Sequence, residues 1–282
     1  PRVSFGDMMG PRIYHDFDPF IIHFWGNFGI RWYALAYILG FLLVRWYLIR
    51  AARNGEIRNL TPERVDDYVQ WAFLGALLGA RFFHVFVFEF RHYGFDPLAW
   101  VAVWRGGLSF HGGLTGVAVV TFLFCRRYQV SFHAIADRTV IPIALALGYG
   151  RIANLINGEM YGTLYDGPFC IDYSQSRFLA RPPEGCRHPT QLYQLAKNWL
   201  LALTLWLMLR RWRPPEGVVF WSFVGLYGFV RFWLMFIREE ERVWLGLTQS
   251  QIFSGLMAIV GTSVVVWLLA RARGRDRGRK AA

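Results

Sequence analysis

The sequence is poor in lysine, cysteine and acidic residues, and it lacks the short motifs of several enzyme classes. Only two of its 31 basic residues are lysines, and it has 19 acidic residues and three cysteines in 282 positions. It contains no Gly-x-Ser-x-Gly motif and no Walker-type phosphate loop. The candidate zinc ligands His84, His111, His188 and Glu159 have no His-x-x-x-His spacing among them, so we expect neither a metal site nor a cofactor.

Long apolar stretches dominate the chain, which is 55% hydrophobic and 18% aromatic. A helix that crosses a bilayer needs about 20 mostly apolar residues, and seven stretches approach that length. They are Ile30–Ile49, Asp67–Phe90, Leu108–Cys125, Ala134–Ile156, Thr190–Leu209, Gly217–Ile237 and Ile252–Ala270. A soluble helical protein would expose 13 Trp and 25 Phe residues to water. We therefore predict an all-α integral membrane protein with seven transmembrane helices, forming a single domain over residues 1–282.

The net charge of +12 is unevenly distributed between the two sides of the predicted membrane protein. Fifteen basic residues fall in the four connections on one side, whereas the other side, about twice as long, holds nine. The four basic connections are Arg50–Asp66, Arg126–His133, Arg210–Glu216 and the tail 271–282. The positive-inside rule places the C-terminus in the cytoplasm and the N-terminus outside. The basic tail is then a topology anchor near anionic lipids, so no nucleic-acid partner is expected.

Two segments outside the spans are expected on the outer face. Residues 1–29 mix acidic and apolar residues, as an arm lying at the membrane interface would. Residues 158–189 contain Pro, Gly, Asp and Ser without a strong period, which predicts a small periplasmic head with little regular structure. Cys170 and Cys186 both lie in this head, and the outer compartment is oxidising, so we expect them to form a disulfide.

Seven basic residues fall inside the predicted spans, where charge is costly. They are Arg31, Arg45, Arg81, Arg138, Arg151, Lys197 and Arg231. Several lie near span ends, from which a long side chain reaches water. Arg81, Arg151 and Arg231 lie deeper, where a charge costs at least about 2.5–3.5 kcal/mol unless it faces a polar cavity or a partner.

The predicted topology brings polar side chains from several spans to one depth, near the outer lipid headgroups. Besides the deep arginines, these are Tyr33, His111 and His188. Because the guanidinium fork matches phosphate oxygens, the pattern predicts a phospholipid phosphate site. The alternative is an internal network of ion pairs, joining Arg151 to Glu159 and Arg231 to Asp137 or Glu239.

Several motifs resemble those of the bacterial prolipoprotein diacylglyceryl transferases. Gly150–Gly162, which reads Gly-Arg-Ile-Ala-Asn-Leu-Ile-Asn-Gly-Glu-Met-Tyr-Gly, is similar to the long family signature. Ser109–Gly113 resembles the family's histidine motif, and Arg187–Tyr193 and Tyr227–Arg231 resemble the motifs near the fifth and sixth helices. Asp18-Pro19 and Arg31-Trp-Tyr33 fit the family's start, and the ordered similarity runs from about Phe17 to Gly261.

The resemblance implies a reaction at the outer face of the bacterial inner membrane. Such enzymes transfer the diacylglyceryl group of phosphatidylglycerol to the lipobox cysteine thiol of a preprolipoprotein, and they release glycerol phosphate. A thiolate attacks the glyceryl carbon, and negative charge grows on the leaving phosphate. The partners implied are therefore phosphatidylglycerol, the preprolipoprotein and membrane lipids.

The family's functional residues fall on matching positions of this chain. The resemblance implies that Arg151 holds the lipid phosphate, that Arg231 stabilises the departing phosphate, and that His111 takes the thiol proton or orients the headgroup. Headgroup contacts are expected from Tyr33, Asn154, Asn157, Glu159, Gly162, His188 and Tyr227. The simpler alternatives are a hydrogen bond at the helix start for His111, packing or capping for the polar residues, and interface anchoring for His188.

Three positions depart from the family pattern. Ala153 stands where the signature usually has glycine, which is a small change. Gln194 and Met235 replace usual carboxylates, so Arg231 loses a partner one turn away. Either Glu239 takes over that role, or Arg231 is freer for lipid phosphate, or activity is reduced. The alternative function is therefore a non-catalytic family member that binds lipid or lipoprotein, whereas a transporter is disfavoured because the halves show no repeat.

Overall fold

Helices make up most of the protein in the computed structural model, which describes residues 12–25, 28–90, 96–101 and 106–281. The helices are α1 (Trp32–Arg53), α2 (Pro62–Phe82), α3 (Pro97–Val101), α4 (Phe110–Tyr128), α5 (Phe132–Ile156), α6 (Thr190–Leu207), α7 (Val218–Leu234) and α8 (Gln249–Ala281). Short π-helical turns extend α2 to Phe88 and α6 to Trp212, and a 3₁₀ turn extends α7 to Ile237. Each of the seven predicted spans coincides with one long helix.

Five helices are long and apolar enough to cross a membrane. They cover Trp32–Arg53, Pro62–Phe88, Phe132–Ile156, Val218–Ile237 and Gln249–Arg275. The predicted class, a mostly helical membrane protein, is therefore confirmed. Two further predicted spans, α4 and α6, form helices of 19 and 18 residues whose mean hydropathy is lower than that of the five. The polarity of α6 is concentrated on its buried side.

The chain divides into two compact units. The larger unit comprises Pro1–Gly40 and Val140–Ala282, and the smaller unit comprises Phe41–Thr139. The boundaries fall within α1 and α5, so each of these helices contributes to both units.

In the smaller unit, α2 and α4 pack closely through glycines. A Cβ added at Gly79 would lie 3.0 Å from the Cα of Gly116, and one added at Gly75 would lie 2.9 Å from the Gly116 carbonyl oxygen. Small residues at such a contact allow two helix backbones to approach each other in a membrane. Buried Tyr68 joins the same two helices, because its hydroxyl lies 3.0 Å from that of Thr121.

In the larger unit, α7 and α8 are also held together at glycines. A Cβ added at Gly261 would lie 2.6 Å from the Cα of Gly225, and one at Gly228 would lie 2.5 Å from the carbonyl oxygen of Ser254. The close approach fixes the last turn of α7 beside the first turns of α8. As a result, Arg231 on α7 reaches Ser250 on α8.

A small three-stranded sheet organises the segment between α5 and α6. Strand β1 (Ile13–Tyr14) pairs in parallel with β4 (Ile171–Asp172), which pairs antiparallel with β5 (Cys186–Arg187). The expected disulfide between Cys170 and Cys186 is confirmed, and it joins the start of β4 to β5. The segment has more regular structure than the sequence predicted, because the N-terminal arm supplies one of its strands.

The rest of the described arm forms a hairpin with an apolar surface. Strand β2 (Phe20–Trp25) pairs antiparallel with β3 (Phe28–Arg31), and Ile21, Ile22 and Phe24 are exposed. An exposed apolar surface of this kind suits a membrane interface. Residues 1–11 of the predicted arm lie outside the described residues. The remaining strands, β6 (Arg242–Trp244) and β7 (Leu247–Thr248), form a hairpin between α7 and α8.

Candidate functional site

The C-terminal turns of α5 supply the first part of the site. Arg151 is buried, and its Nη1 donates to the side-chain oxygen of Asn154 at 3.1 Å and to the sulfur of Met160 at 2.9 Å. Residues three apart share a helix face, so the spacing in the signature already brings Arg151 and Asn154 together. The chain turns just after α5 at Gly158, whose φ of +63° suits glycine. That turn returns Met160 to the side of Arg151.

Glu159 accepts hydrogen bonds from three of the predicted site residues. The Tyr33 hydroxyl donates to Glu159 Oε2 at 2.6 Å. The side-chain amides of Asn154 and Asn157 donate to Glu159 Oε2 and Oε1, each at 3.4 Å, and the Asn154 amide also contacts the Tyr33 hydroxyl. Among the described residues no ion pair joins Arg151 to Glu159, so that part of the alternative network is not observed.

Arg231 and Tyr227 form the second part of the site on α7. Arg231 Nη1 donates to the Tyr227 hydroxyl at 3.1 Å, and its Nη2 donates to Ser250 Oγ at 3.4 Å. Ser250 Oγ in turn donates to Glu240 Oε1 at 2.7 Å, so the Ser250 hydroxyl links Arg231 to the carboxylate of Glu240. Arg151 interacts electrostatically with Tyr227 and with Arg231, so the two arginines lie near the same phenol.

Lys197 on α6 is a third cation at this place, and the sequence prediction gave it no role. Its Nζ lies 3.6 Å from the centroid of the Tyr227 ring, and the side chain is buried. Gln194 and Asn198 on the same face of α6 are buried as well. The available sequence signal was a group of polar residues three and four apart inside an apolar span, at one of only two lysines in the chain.

Gly162 and His188 lie together at the base of the segment between α5 and α6. The Gly162 amide donates to the His188 carbonyl at 3.0 Å, and a Cβ added at Gly162 would lie 2.5 Å from the Cβ of His188. Close backbone packing therefore requires glycine here. The His188 ring stacks on Tyr165 with centroids 3.9 Å apart, and burial lowers the pKa of His188. These contacts give both residues a packing role, and the expected headgroup contacts stay predictions.

His111 and Arg81 belong to the smaller unit. Ser109 caps α4 by accepting a hydrogen bond from the Gly112 amide at 3.3 Å, which places exposed His111 in the first turn of the helix. Arg81 is buried and donates to the carbonyl oxygens of Trp100, Gly106 and Gly107 at 2.6–3.0 Å. These contacts give Arg81 a structural role in holding Trp100 on α3 and the two glycines that precede α4.

Two cavities in the larger unit are lined in part by residues of the signature Gly150–Gly162. One of about 370 Å³ is lined by Pro19, Phe20, His23, Arg31, Asn157, Glu159, Arg177 and Phe178. The other, of about 450 Å³, is lined by Gly158–Tyr161, Leu179, Arg181, Pro183, Arg238 and Glu239. Glu159 lines both cavities, and Asn157 lines the first. No group of three or more His, Cys, Asp or Glu residues in the described ranges is placed to hold a metal ion.

Helices of membrane-crossing length define a mostly helical membrane protein, whose larger unit holds Arg151, Lys197 and Arg231 around Tyr227. Comparison with known proteins gives the family. Residues 19–267 match the model of the prolipoprotein diacylglyceryl transferases. The chain belongs to this family.

Individual relatives are similar over nearly the whole chain. The phosphatidylglycerol–prolipoprotein diacylglyceryl transferase of Pseudoalteromonas atlantica is 35% identical over 271 residues, which cover 93% of this chain and 92% of the relative. The enzyme of the same name from Rhodospirillum rubrum is 36% identical over 263 residues, covering 90% and 92%. That from Geobacter sulfurreducens is 34% identical over 254 residues, covering 88% and 95%.

Proposed function

We propose that the chain transfers the diacylglyceryl group of phosphatidylglycerol to the lipobox cysteine thiol of preprolipoproteins. One observation carries the proposal. Arg231 donates to the Tyr227 hydroxyl, Arg151 interacts electrostatically with both residues, and no described carboxylate of the larger unit forms an ion pair with either arginine. Guanidinium groups that have no carboxylate partner and are largely withdrawn from water favour a phosphate as their anion.

The proposed roles follow from the contacts of each side chain. Arg151 holds the phosphate of the lipid, and Asn154 orients its guanidinium. Arg231 stabilises the charge that grows on the departing phosphate, because a fixed cation in a low-dielectric site favours the transition state over the substrate. Glu159 orders Tyr33, Asn154 and Asn157 for headgroup contacts, and Tyr227 aligns the two arginines.

His111 is the proposed partner of the nucleophile. Placed in the first turn of α4, it takes the thiol proton or orients the headgroup. We assign Gly162 and His188 a packing role that holds the backbone near Glu159 in place. For His188 we also propose a direct contact with the lipid headgroup.

The reaction is assigned to the outer face of the bacterial inner membrane. In this arrangement all seven long helices cross the membrane, α4 and α6 included. The N-terminus and the segment 158–189 then lie in the periplasm, and the basic tail 271–282 lies in the cytoplasm, as the positive-inside rule predicts. This topology is tested by introducing a single cysteine at Ser174 or at Glu216 and labelling each variant with a membrane-impermeant thiol reagent. Only the former should react in intact spheroplasts.

The catalytic proposal is tested with purified protein, phosphatidylglycerol and a lipobox peptide. The expected products are a peptide carrying a diacylglyceryl mass addition and free glycerol phosphate. Arg151→Ala should abolish both, whereas Arg210→Ala, at an exposed position near the end of α6, should not. Lipid or peptide binding without either product, under conditions where a known family enzyme turns over, would support the non-catalytic alternative.

A further inference from the structure

Lys197 is a buried cation whose ammonium has no hydrogen-bond partner among the described residues. Only 7% of the residue is exposed. Removing an ammonium from water costs several kcal/mol, so a buried lysine without an anion is unfavourable unless a ligand completes its surroundings. The position therefore indicates a site for a negatively charged group.

The surroundings of Lys197 contain more positive charge. Its Nζ lies 3.6 Å from the centroid of the Tyr227 ring, and the Tyr227 hydroxyl accepts a hydrogen bond from Arg231 at 3.1 Å. Arg151 interacts with the same tyrosine and with both other cations. Three like charges around one phenol repel each other, and a bound anion removes this repulsion.

Polar atoms on α6 extend the site beside Lys197. Gln194 and Asn198 lie three residues before and one residue after it, and they are 1% and 0% exposed. The Gln194 side-chain oxygen and both polar atoms of the Asn198 amide have no hydrogen-bond partner in the described part of the chain. Buried amides of this kind need partners, and phosphate oxygens or glycerol hydroxyls would supply them.

The positive charge of the site is larger than the single negative charge of a phosphodiester. Neighbouring Arg187 and Arg238 are each paired with a carboxylate, Glu239 and Glu240 respectively. Arg151, Arg231 and Lys197 together with Glu159 therefore leave a charge of +2. The phosphate of phosphatidylglycerol carries a single negative charge, whereas a phosphate monoester carries about −1.5 to −2 at neutral pH. The site thus matches the charge of the departing product better than that of the substrate.

We infer that Lys197 is a further catalytic residue, which contacts the phosphate of the lipid and stabilises the second negative charge that forms on it. The inference rests on the proposed transfer reaction. In that reaction the thiolate sulfur forms a bond to the glyceryl carbon, and the bond between that carbon and the phosphate oxygen breaks. The electron pair stays on the oxygen, so the diester monoanion becomes a monoester dianion, and the thiol proton is released. A cation placed for the second charge lowers the barrier selectively.

The first test compares Lys197→Met with the wild type. Removing one fixed charge from a transition state typically lowers kcat by about 100-fold, and we expect this with a KM for phosphatidylglycerol within about threefold of the wild type. Leu201→Met, one turn further along the buried face of α6, is the control and should leave both constants unchanged. A kcat within threefold of the wild type, or a rise in KM alone, would overturn the inference. Should Lys197→Met not fold, Lys197→Gln is measured in the same way.

The second test measures binding without turnover. At pH 7.5 the wild type should bind glycerol phosphate at least about 10-fold more tightly than the diester glycerophosphoglycerol, because only the former carries the second charge. Lys197→Met should reduce this preference to about twofold or less, and Lys197→Arg should retain part of it. An unchanged preference in Lys197→Met contradicts the inference. If the wild type forms no lipidated peptide, the proposed function fails, whereas an active wild type with an equally active Lys197→Met variant refutes only the role of Lys197.

Discussion

Arg187 and Glu239 form an ion pair in the larger unit, and Glu239 is therefore engaged away from Arg231. The sequence had left open whether Glu239 replaces the usual carboxylate at Met235. Instead, Met235 is buried, and its sulfur lies 3.7 Å from Nη1 of Arg238. Arg231 is thus left with two hydroxyl partners, and its charge remains available for a ligand.

Arg231→Lys should lower kcat by about 100-fold. The guanidinium contacts the Tyr227 hydroxyl through Nη1 and Ser250 through Nη2, so the orientation of its plane is fixed. An ammonium keeps the charge but presents no planar fork to a phosphate. The measurement is the rate of thioether formation from phosphatidylglycerol and a lipobox peptide, with Arg210→Lys as the control. Full activity in Arg231→Lys would mean that the charge alone is sufficient.

Tyr33→Phe should lower kcat/KM by about 10-fold or more. The Tyr33 hydroxyl donates to Glu159 at 2.6 Å, and a hydrogen bond to a charged group is worth about 1.5–3 kcal/mol. Without it, Glu159 and Asn154 lose a fixed neighbour. Tyr37→Phe, one turn further along α1 and 67% exposed, is the matched control and should behave as the wild type. Equal kinetics in the two variants would remove Tyr33 from the site.

Hydropathy was sufficient to predict the helices, because each span is a local property of about 20 residues. The pairing of Arg151 with Asn154 was equally predictable, since residues three apart share a helix face, and the sequence placed Glu159 where the helix ends. The role of Arg81 was not predictable from its depth in α2. Its partners are the backbone carbonyls of Trp100, Gly106 and Gly107, and a sequence pattern does not indicate which backbone groups come close to a side chain on another element.

Two features of the larger unit depended on long-range contacts. The sheet in the segment 158–189 needed a strand from residues 13–14, more than 150 positions away, so local composition predicted too little regular structure. No role was predicted for Lys197 from the sequence, although it lies inside the predicted span Thr190–Leu209. Only the packing of α6 against α7 places it on Tyr227, beside two arginines from other helices.

Asp16→Asn should make the protein less stable at neutral pH but not in acid. Asp16 accepts hydrogen bonds from the Arg177 side chain at 2.9 Å and its amide at 3.2 Å, and the side-chain bond is the main cause of the lowered pKa of Asp16. Because the pKa of Asp16 is lower in the folded state, the ionised carboxylate stabilises the folded protein at every pH above the unfolded-state pKa of about 3.9. This stabilisation is lost as the pH falls through the pKa of the folded state.

Thermal unfolding in detergent at pH 7 and at pH 2–3 tests this prediction. The midpoint of Asp16→Asn should lie below that of the wild type at pH 7, and the two should converge at the acidic pH. The difference at pH 7 should be small and should shrink in high salt, because the pair is exposed. Glu184→Gln, at an exposed carboxylate for which no ion pair is observed in the described part of the chain, is the control. A difference that persists in acid would contradict an electrostatic origin.

Loss of the disulfide should destabilise the segment between α5 and α6. Cys170 and Cys186 are 16 positions apart, and closing a loop of about 15 residues stabilises a fold by about 3 kcal/mol in the chain-entropy model. Because β5 also pairs with β4, the Cys170→Ser/Cys186→Ser double variant should loosen the sheet that holds the arm through β1. Proteolysis of the segment is then expected to be faster in the variant.

Cys125, the third cysteine, provides the matched control for the disulfide. Cys125→Ser removes a buried thiol from the smaller unit without affecting the bond, so it should not change proteolysis of residues 158–189. In denatured but unreduced wild type, an alkylating reagent should add one mass increment, at Cys125, and three after reduction. Three increments before reduction would show that the bond does not form in the protein, and the predicted stabilisation would then have no source.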